Sequence, residues 1–155
     1  MMIMKISEIL SKDAIRISYE VESKETLLEN MVGFLSNSSK VLNTEQALKD
    51  VLEREEVMST GVGKGIALPH AKSKVVVDSI ASLVILKKPI DFDSLDGEPV
   101  NVAFLLLGPE NNVGLHLRLL SKVSRLMNND SFRLHLLECK SPEDVMKLFN
   151  SMEEM

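Results

Sequence analysis

The residues best suited to chemistry lie in one glycine-rich stretch that ends at a Pro-His step. Gly61, Gly63 and Gly65 occupy alternate positions, and glycine lets a partner or a phosphate approach the main chain closely. Pro69 fixes its own φ and biases the preceding residue toward extended geometry. His70 is therefore presented at the end of a stiff segment, beside a loop rich in N–H groups. This arrangement favours a histidine that does chemistry on an anion.

The chemistry expected of His70 is nucleophilic attack on a phosphoryl donor. Imidazole titrates near ~6.5, so at neutral pH one ring nitrogen is free to react while the other is protonated and held by an acceptor. The product is a phosphoramidate, whose labile P–N bond allows the group to be passed on. Phosphoryl transfer depends on in-line positioning and on stabilising the charge of the equatorial oxygens. Backbone N–H groups of the Gly61–Gly65 loop are suited to the second task.

A longer pattern surrounds the histidine and gives it a family context. Its positions are Glu55, Val62, Gly63, Ile66, Ala67, Leu68, Pro69, His70 and Ala71. This pattern resembles the active-site signature of enzyme IIA proteins of the fructose/mannitol/nitrogen type, which belong to the bacterial phosphoenolpyruvate-dependent phosphotransferase system. The resemblance implies that His70 accepts a phosphoryl group from the carrier protein HPr, or from its nitrogen-branch equivalent. It also implies that His70 passes the phosphoryl group to a cysteine of enzyme IIB for sugar uptake. The ring atom of His70 that the resemblance implies to react is Nε2.

Other residues match positions that this family places beside the histidine. The tripeptide Leu115-His116-Leu117 matches a second histidine, whose implied role is to stabilise the phosphoryl group. Helical spacing alone places His116 on a buried stripe, close to the start of its helix. Arg54 matches an arginine beside the site, and a guanidinium offers paired donors for phosphate oxygens. Thr60 is a candidate hydroxyl donor to the same group.

A second function within the same family stays open. Nitrogen-type relatives are implied to keep the histidine chemistry but to act as regulators, with their phosphorylation state controlling target proteins such as kinases or potassium transporters. Phosphate passage to a cognate enzyme IIB would favour transport, and its absence would favour regulation. The sequence does not identify a sugar or an oligomeric state.

Composition excludes several other classes of protein. The chain has 155 residues and a formal net charge of −5, and it lacks the clustered Lys and Arg of a nucleic-acid binder. Its single cysteine, Cys139, excludes an internal disulfide and fits a reducing compartment. No apolar run approaches the ~20 residues of a spanning helix. We therefore expect one cytoplasmic domain over residues 1–155, without direct membrane insertion.

Competing sites fail on spacing. A phosphate-binding P-loop needs Ser or Thr after its lysine, whereas Lys64 is followed by Gly65. A metal site at His70 and His116 lacks the further ligands that such a site requires. No Gly-x-Ser-x-Gly elbow is present for a serine hydrolase. We accordingly expect no metal and no cofactor.

The elements that position these residues indicate the α/β class. Apolar patterns predict strands at 14–19, 75–77, 80–86 and 100–107. Capping residues predict helices beginning near Ser23, Asn43 and Ser141, and periodicity predicts helices at 113–127 and 130–138. The predicted helix at 130–138 carries His135 on its surface. The family resemblance implies a mixed central sheet sandwiched by helices, with the active histidine in a shallow depression at a sheet edge.

Overall fold

The computed structural model describes residues 5–153, which contain six helices and six strands. The strands of this part are β1 (Leu10–Tyr19), β2 (Gly61–Gly63), β3 (Ile66–Ala67), β4 (His70–Ser73), β5 (Ile80–Ile90) and β6 (Val100–Pro109). Its helices are α1 (Ile6–Ile9), α2 (Lys24–Gly33), α3 (Thr44–Val57), α4 (Val113–Met127), α5 (Asp130–Glu138) and α6 (Pro142–Glu153). The predicted α/β class is confirmed.

The strands form one mixed sheet in the order β1-β5-β6-β3-β2, with β4 also paired to β6. Strand β1 runs parallel to β5, which is antiparallel to β6. The short strands β3 and β4 pair in parallel with successive parts of β6, Ile66 opposite Val102 and His70 opposite Leu106. The long apolar strands β5 and β6 thus lie in the interior of the sheet, as their composition predicts.

Helices cover both faces of this sheet, and strand β6 divides its side chains between them. One core contains buried residues of α2 and α3 together with Ala103, Leu105 and Leu107. The other contains buried residues of α1, α4, α5 and α6 together with Val102, Phe104 and Leu106. Since side chains alternate along a strand, His70, paired with Leu106, lies on the same face as α4. The predicted sandwich is confirmed.

Helix starts follow the predicted capping residues. The side chains of Ser23 and Asn43 accept hydrogen bonds from backbone N–H groups in the first turns of α2 and α3. Ser141 does the same for α6 by accepting from the Asp144 N–H, and Asn112 caps α4. The last cap matters for the site, because it starts α4 directly after β6. No helix within residues 5–153 is long and apolar enough to cross a bilayer.

Two local predictions differ from the structure. The segment Val75–Val77 is not a strand, although Val76 forms an isolated bridge with Val41. The chain turns there because the oxygens of Ser73 accept hydrogen bonds from the N–H groups of the following turn. The glycine-rich stretch, predicted as a loop, is instead the hairpin of β2 and β3.

Candidate active site

Two histidines from different elements meet on the α4 face of the sheet. His70 is the first residue of β4, and His116 lies in the first turn of α4. Their ring centroids are 5.8 Å apart and the rings are tilted by 52°. His70 is half-buried, whereas His116 is only 3% exposed. The structure therefore brings together the two histidines that the sequence selected.

The ring of His70 is oriented by the backbone just before it. Its Nδ1 lies 2.8 Å from the carbonyl oxygen of Leu68. A carbonyl only accepts hydrogen bonds, so Nδ1 carries the hydrogen and donates it, which leaves the lone pair on Nε2. The contact is local, because Pro69 is the one residue between the two partners.

Burial keeps the His70 ring neutral at neutral pH. It is the main cause that lowers the pKa of His70, although the hydrogen bond to Leu68 opposes it. The nearby positive charges of Arg54 and Lys72 lower this pKa further, and the negative charge of Glu55 raises it. A neutral ring with Nδ1 protonated is the nucleophilic form of histidine, with Nε2 as the attacking atom.

His116 is a buried ring without a hydrogen-bond partner. Neither of its ring nitrogens is paired with any group among residues 5–153. Burial lowers its pKa to about 4, and the charges of His70 and Lys72 contribute in the same direction. A neutral ring keeps one N–H, and leaving a buried donor unpaired is unfavourable. An anionic oxygen within hydrogen-bond distance of this ring would give the donor its acceptor.

Gly108 makes room for His116. A Cβ atom at this position would lie 2.7 Å from His116 Nδ1, far closer than two such atoms can approach. Gly108 pairs with Lys72 on β4, two positions along the strand from the level of His70. The predicted strand ends at residue 107, whereas β6 continues through Gly108. A glycine inside an apolar strand is the signal that indicates such a close approach.

Two cations lie close enough to His70 for their charges to act on its ring. Arg54 lies in the last turn of α3, where its Nη1 donates to the Met58 carbonyl at 3.1 Å. Lys72 is exposed and follows His70 by two positions, so both side chains are on the same face of β4. Sequence reasoning found Arg54 and missed Lys72, which the period of a strand could have indicated. Together the two charges favour an anion at the site.

Thr60 has a different hydrogen-bond partner from the one that the sequence suggested. Its side chain is buried, and its Oγ1 donates to Glu55 Oε1 at 2.6 Å. The N–H of Thr60 donates to the other oxygen of the same carboxylate at 2.7 Å. Because a hydroxyl carries one hydrogen, Thr60 has none left to donate to an anion beside His70.

The tip of the glycine hairpin lies away from the histidine pair. The carbonyl of Gly65 accepts from the N–H of Asn101, whereas His70 is level with Leu106 on the same strand. Five residues of strand separate these levels, which corresponds to about 17 Å. Gly63 pairs with Ile66, which lies opposite Val102, so it is also remote from the level of His70. The structure does not bring these two glycines to the site.

The glycines instead shape the hairpin. Gly63 and Gly65 adopt φ values of 104° and 79°, which disfavour other residues. A Cβ on Gly61 would lie 2.5 Å from Ser94 Oγ, so the small residue allows the loop after β5 to approach closely. The N–H of Gly61 already donates to Ser59 Oγ at 3.1 Å.

The remaining chemistry-bearing groups do not add a metal centre. Within residues 5–153, no three His, Cys, Asp or Glu side chains come together in a way that could hold a metal ion. His135 is exposed on α5, as predicted. The site thus consists of a neutral imidazole with its lone pair on Nε2, a second buried imidazole and two nearby cations, an arrangement suited to accepting a small anionic group.

Comparison with known proteins identifies a family, related sequences and solved structures to which this chain is similar. The sequence profile of the family described as phosphoenolpyruvate-dependent sugar phosphotransferase system, EIIA 2, matches residues 8–152. The chain is 36% identical over 152 residues to the PTS system fructose-specific EIIABC component of Bacillus subtilis. That alignment covers 97% of this chain and 24% of the Bacillus protein, so the chain spans about a quarter of that relative.

Relatives of similar length carry a different description. The nitrogen regulatory protein homolog of Haemophilus influenzae is 34% identical over 154 residues, which is 97% of this chain and 94% of that protein. The crystal structure of nitrogen regulatory protein IIA-Ntr from Neisseria meningitidis superposes with a TM-score of 0.87 at 34% identity. That superposition covers 93% of this chain and 98% of the Neisseria chain.

The low pKa of His116 predicts a specific pH dependence of stability. Between pH 6.5 and about 4 the unfolded chain binds a proton on this ring that the native protein does not bind, so stability falls as the pH is lowered. The shift corresponds to about 3 kcal/mol. Between pH 7 and 4, the free energy of unfolding should therefore fall by about 3 kcal/mol less in His116→Leu than in the wild type. Urea titrations at each pH measure it, and parallel curves for the two proteins would contradict the buried neutral ring.

We also expect Gly108→Ala to push the His116 ring out of its position. The added Cβ leaves no room for Nδ1, so the ring must shift, and we expect a less buried ring with a higher pKa. NMR titration of the ring protons, together with the contacts between the His70 and His116 rings, measures this change. Gly33→Ala is the matched control, because a Cβ there meets nothing within 4 Å. Unchanged His116 signals in Gly108→Ala would refute the steric argument.

Proposed function

The chain belongs to the family of EIIA 2 domains of the phosphoenolpyruvate-dependent sugar phosphotransferase system, and we propose that it carries a phosphoryl group on Nε2 of His70. The observation that supports this most strongly is the 2.8 Å contact between His70 Nδ1 and the Leu68 carbonyl. It leaves Nε2 as the nucleophilic atom of a neutral, half-buried ring.

In the first step, the proposed donor is the phosphohistidine of HPr or of its nitrogen-branch equivalent. The lone pair of His70 Nε2 attacks phosphorus, and the P–N bond of the donor breaks with its electron pair returning to the donor ring. The hydrogen on Nδ1 stays in place, and the Leu68 carbonyl stabilises the positive charge that develops on the phosphorylated ring. No cofactor is required by this exchange.

Three further residues have proposed roles around the phosphoryl group. The N–H of His116 donates to one of its oxygens, which pairs a buried donor. The positive charges of Arg54 and Lys72 compensate the negative charge of the group during transfer. Both charges already act on the His70 ring, since they lower its pKa.

In the second step, the group leaves for the acceptor. For a transport component, the acceptor is a cysteine thiolate of enzyme IIB, which attacks phosphorus while Nε2 of His70 recovers its lone pair. The proposal takes residues 1–155 as one EIIA domain acting in the cytoplasm. The fructose-specific Bacillus relative supports this branch.

The second candidate is a regulatory protein with the same phosphohistidine. It is supported by the nitrogen regulatory proteins of Haemophilus and Neisseria, which match this chain over nearly their whole length. The phosphorylation state of His70 would then control binding to target proteins. Incubating the phosphorylated protein with purified enzyme IIB separates the two branches, because passage of the group supports transport and its retention supports regulation.

We expect His70→Ala to abolish labelling by radioactive phosphoenolpyruvate in the presence of enzyme I and HPr, because the attacking nitrogen is removed. His135→Ala is the matched control, since this exposed histidine on α5 has no role in the site, and it should be labelled like the wild type. Equal labelling of His70→Ala and the wild type would end the assignment.

We expect His116→Ala to accept the label but to pass it on slowly. The variant keeps the His70 nucleophile and loses one donor to the phosphoryl oxygens, a loss typically worth ~10²-fold in rate. Rapid-quench measurement of label moving from this protein to enzyme IIB tests it. Transfer at the wild-type rate would remove His116 from the mechanism.

A further inference from the structure

We propose that Glu55, held by Lys24, is a positioning residue that fixes the reactive form of His70 through the backbone of Thr60 and Leu68. The consequence of this positioning role for phosphoryl transfer rests on the proposed function, but the effect of Glu55 on the His70 ring does not. The role does not require Glu55, Lys24, Thr60 or Leu68 to touch the phosphoryl group. They act by deciding where one carbonyl oxygen lies.

The network begins with an ion pair between α2 and α3. Lys24 Nζ lies 2.9 Å from Glu55 Oε2 and 4.7 Å from the centroid of the Phe92 ring. Glu55 is only 8% exposed. An isolated carboxylate at this depth would be strongly destabilising, because a buried charge needs a partner and hydrogen bonds. Lys24 supplies the charge that allows Glu55 to be buried.

Glu55 uses both of its oxygens on the residue that leads into the hairpin. Oε2 accepts from the Thr60 N–H at 2.7 Å, and Oε1 accepts from Thr60 Oγ1 at 2.6 Å. Two hydrogen bonds from one residue to one carboxylate fix both the backbone and the side chain of Thr60. The carboxylate thereby determines the position of the Thr60 peptide directly before β2.

The hairpin transmits this position to His70. The Thr60 carbonyl accepts from the Leu68 N–H at 2.9 Å, and the Leu68 carbonyl accepts from His70 Nδ1 at 2.8 Å. The Pro69 carbonyl is bonded to the Leu106 N–H of β6 at 3.0 Å. The peptide group between Leu68 and Pro69 faces the imidazole. The chain before this group is bonded to Thr60, and the chain after it is bonded to the central sheet.

The direction of the Leu68 carbonyl decides which tautomer His70 adopts. While this oxygen accepts from Nδ1, the lone pair stays on Nε2. A rotation of the Leu68 peptide would weaken the bond, and the tautomer with Nε2 protonated would become populated. That form is unreactive at Nε2. A positioning role therefore predicts a change in tautomer, which a purely structural ion pair does not predict.

The charge of Glu55 also acts on the ring directly. It raises the pKa of His70, in opposition to the positive charges of Arg54 and Lys72. Neutralising Glu55 should therefore lower this pKa, and loosening the hydrogen bond to Leu68 should lower it further. The two effects have the same sign.

The test compares Glu55→Gln with Glu56→Gln. Both changes remove one negative charge from the end of α3, but Glu56 is exposed and lies outside the network. Nitrogen-detected NMR of the unphosphorylated protein measures the tautomer and the pKa of His70, and thermal unfolding checks that each variant is folded. The rate of labelling by phospho-HPr is measured on the same samples.

We expect Glu55→Gln to show a mixture of tautomers, a lower pKa of His70 and labelling slowed by roughly tenfold, since a small misplacement of a reacting group is costly. Glu56→Gln should match the wild type in all three readouts. A folded Glu55→Gln protein with an unchanged tautomer would overturn the inference. If this variant does not fold, the tautomer of His70 in Thr60→Val decides, because this change removes one of the two bonds to the carboxylate and keeps its charge.

The outcomes also separate this inference from the proposed function. If the wild type itself is not labelled, the proposed function fails, and the tautomer measurement still tests the role of Glu55. If the wild type is labelled but Glu55→Gln has the same tautomer and labelling rate as Glu56→Gln, only the positioning role fails.

Discussion

The hydrogen bond from His70 Nδ1 to the Leu68 carbonyl is the interaction on which the site depends. It assigns the hydrogen to Nδ1 and leaves the lone pair on Nε2. The bond joins residues two positions apart, and the proline between them restricts how the backbone can bend. The carbonyl is nevertheless not positioned by sequence alone, since the Leu68 N–H is bonded to Thr60 across the hairpin. Local stiffness and a tertiary contact therefore act on the same peptide.

Strand β6 brings the parts of the site together. It pairs with β4 and so sets the level of His70, and it continues through the turn at Asn112 into α4, which carries His116. Gly108 on the same strand leaves the space that the second ring occupies. One continuous segment thus fixes the spacing and burial of both imidazoles. Burial then keeps both rings neutral, which is the state that the proposed nucleophile and the proposed donor to the phosphoryl group both require.

Several features of the site could be predicted from the sequence because their signals are local. The pattern ending at Pro69 and His70 indicated the histidine that we propose as the nucleophile, and helical periodicity placed His116 on a buried stripe. The α/β class followed from the long apolar runs of β5 and β6. The caps of α2, α3 and α6 were also correct, since a cap is decided by contacts within one turn.

Other features depended on contacts between distant parts of the chain. The ion pair of Lys24 and Glu55 joins two helices, and neither residue has an unusual neighbourhood in the sequence. The hydroxyl of Thr60 was assigned to the phosphoryl group, because the sequence does not show that a buried carboxylate binds it. The alternating glycines suggested a phosphate loop, whereas they form a hairpin whose register on β6 carries Gly63 and Gly65 away from His70. Strand register is set by long-range pairing, which a single sequence does not reveal.

The central claim is that Nε2 of His70 is the atom that carries the phosphoryl group. NMR of nitrogen-labelled protein after phosphorylation tests it directly, because scalar coupling to phosphorus identifies the bonded ring nitrogen. The structure predicts coupling to Nε2 of His70, with the Nδ1 hydrogen retained and slowly exchanging. Coupling to Nδ1 of His70, or to a nitrogen of another histidine, would contradict the account.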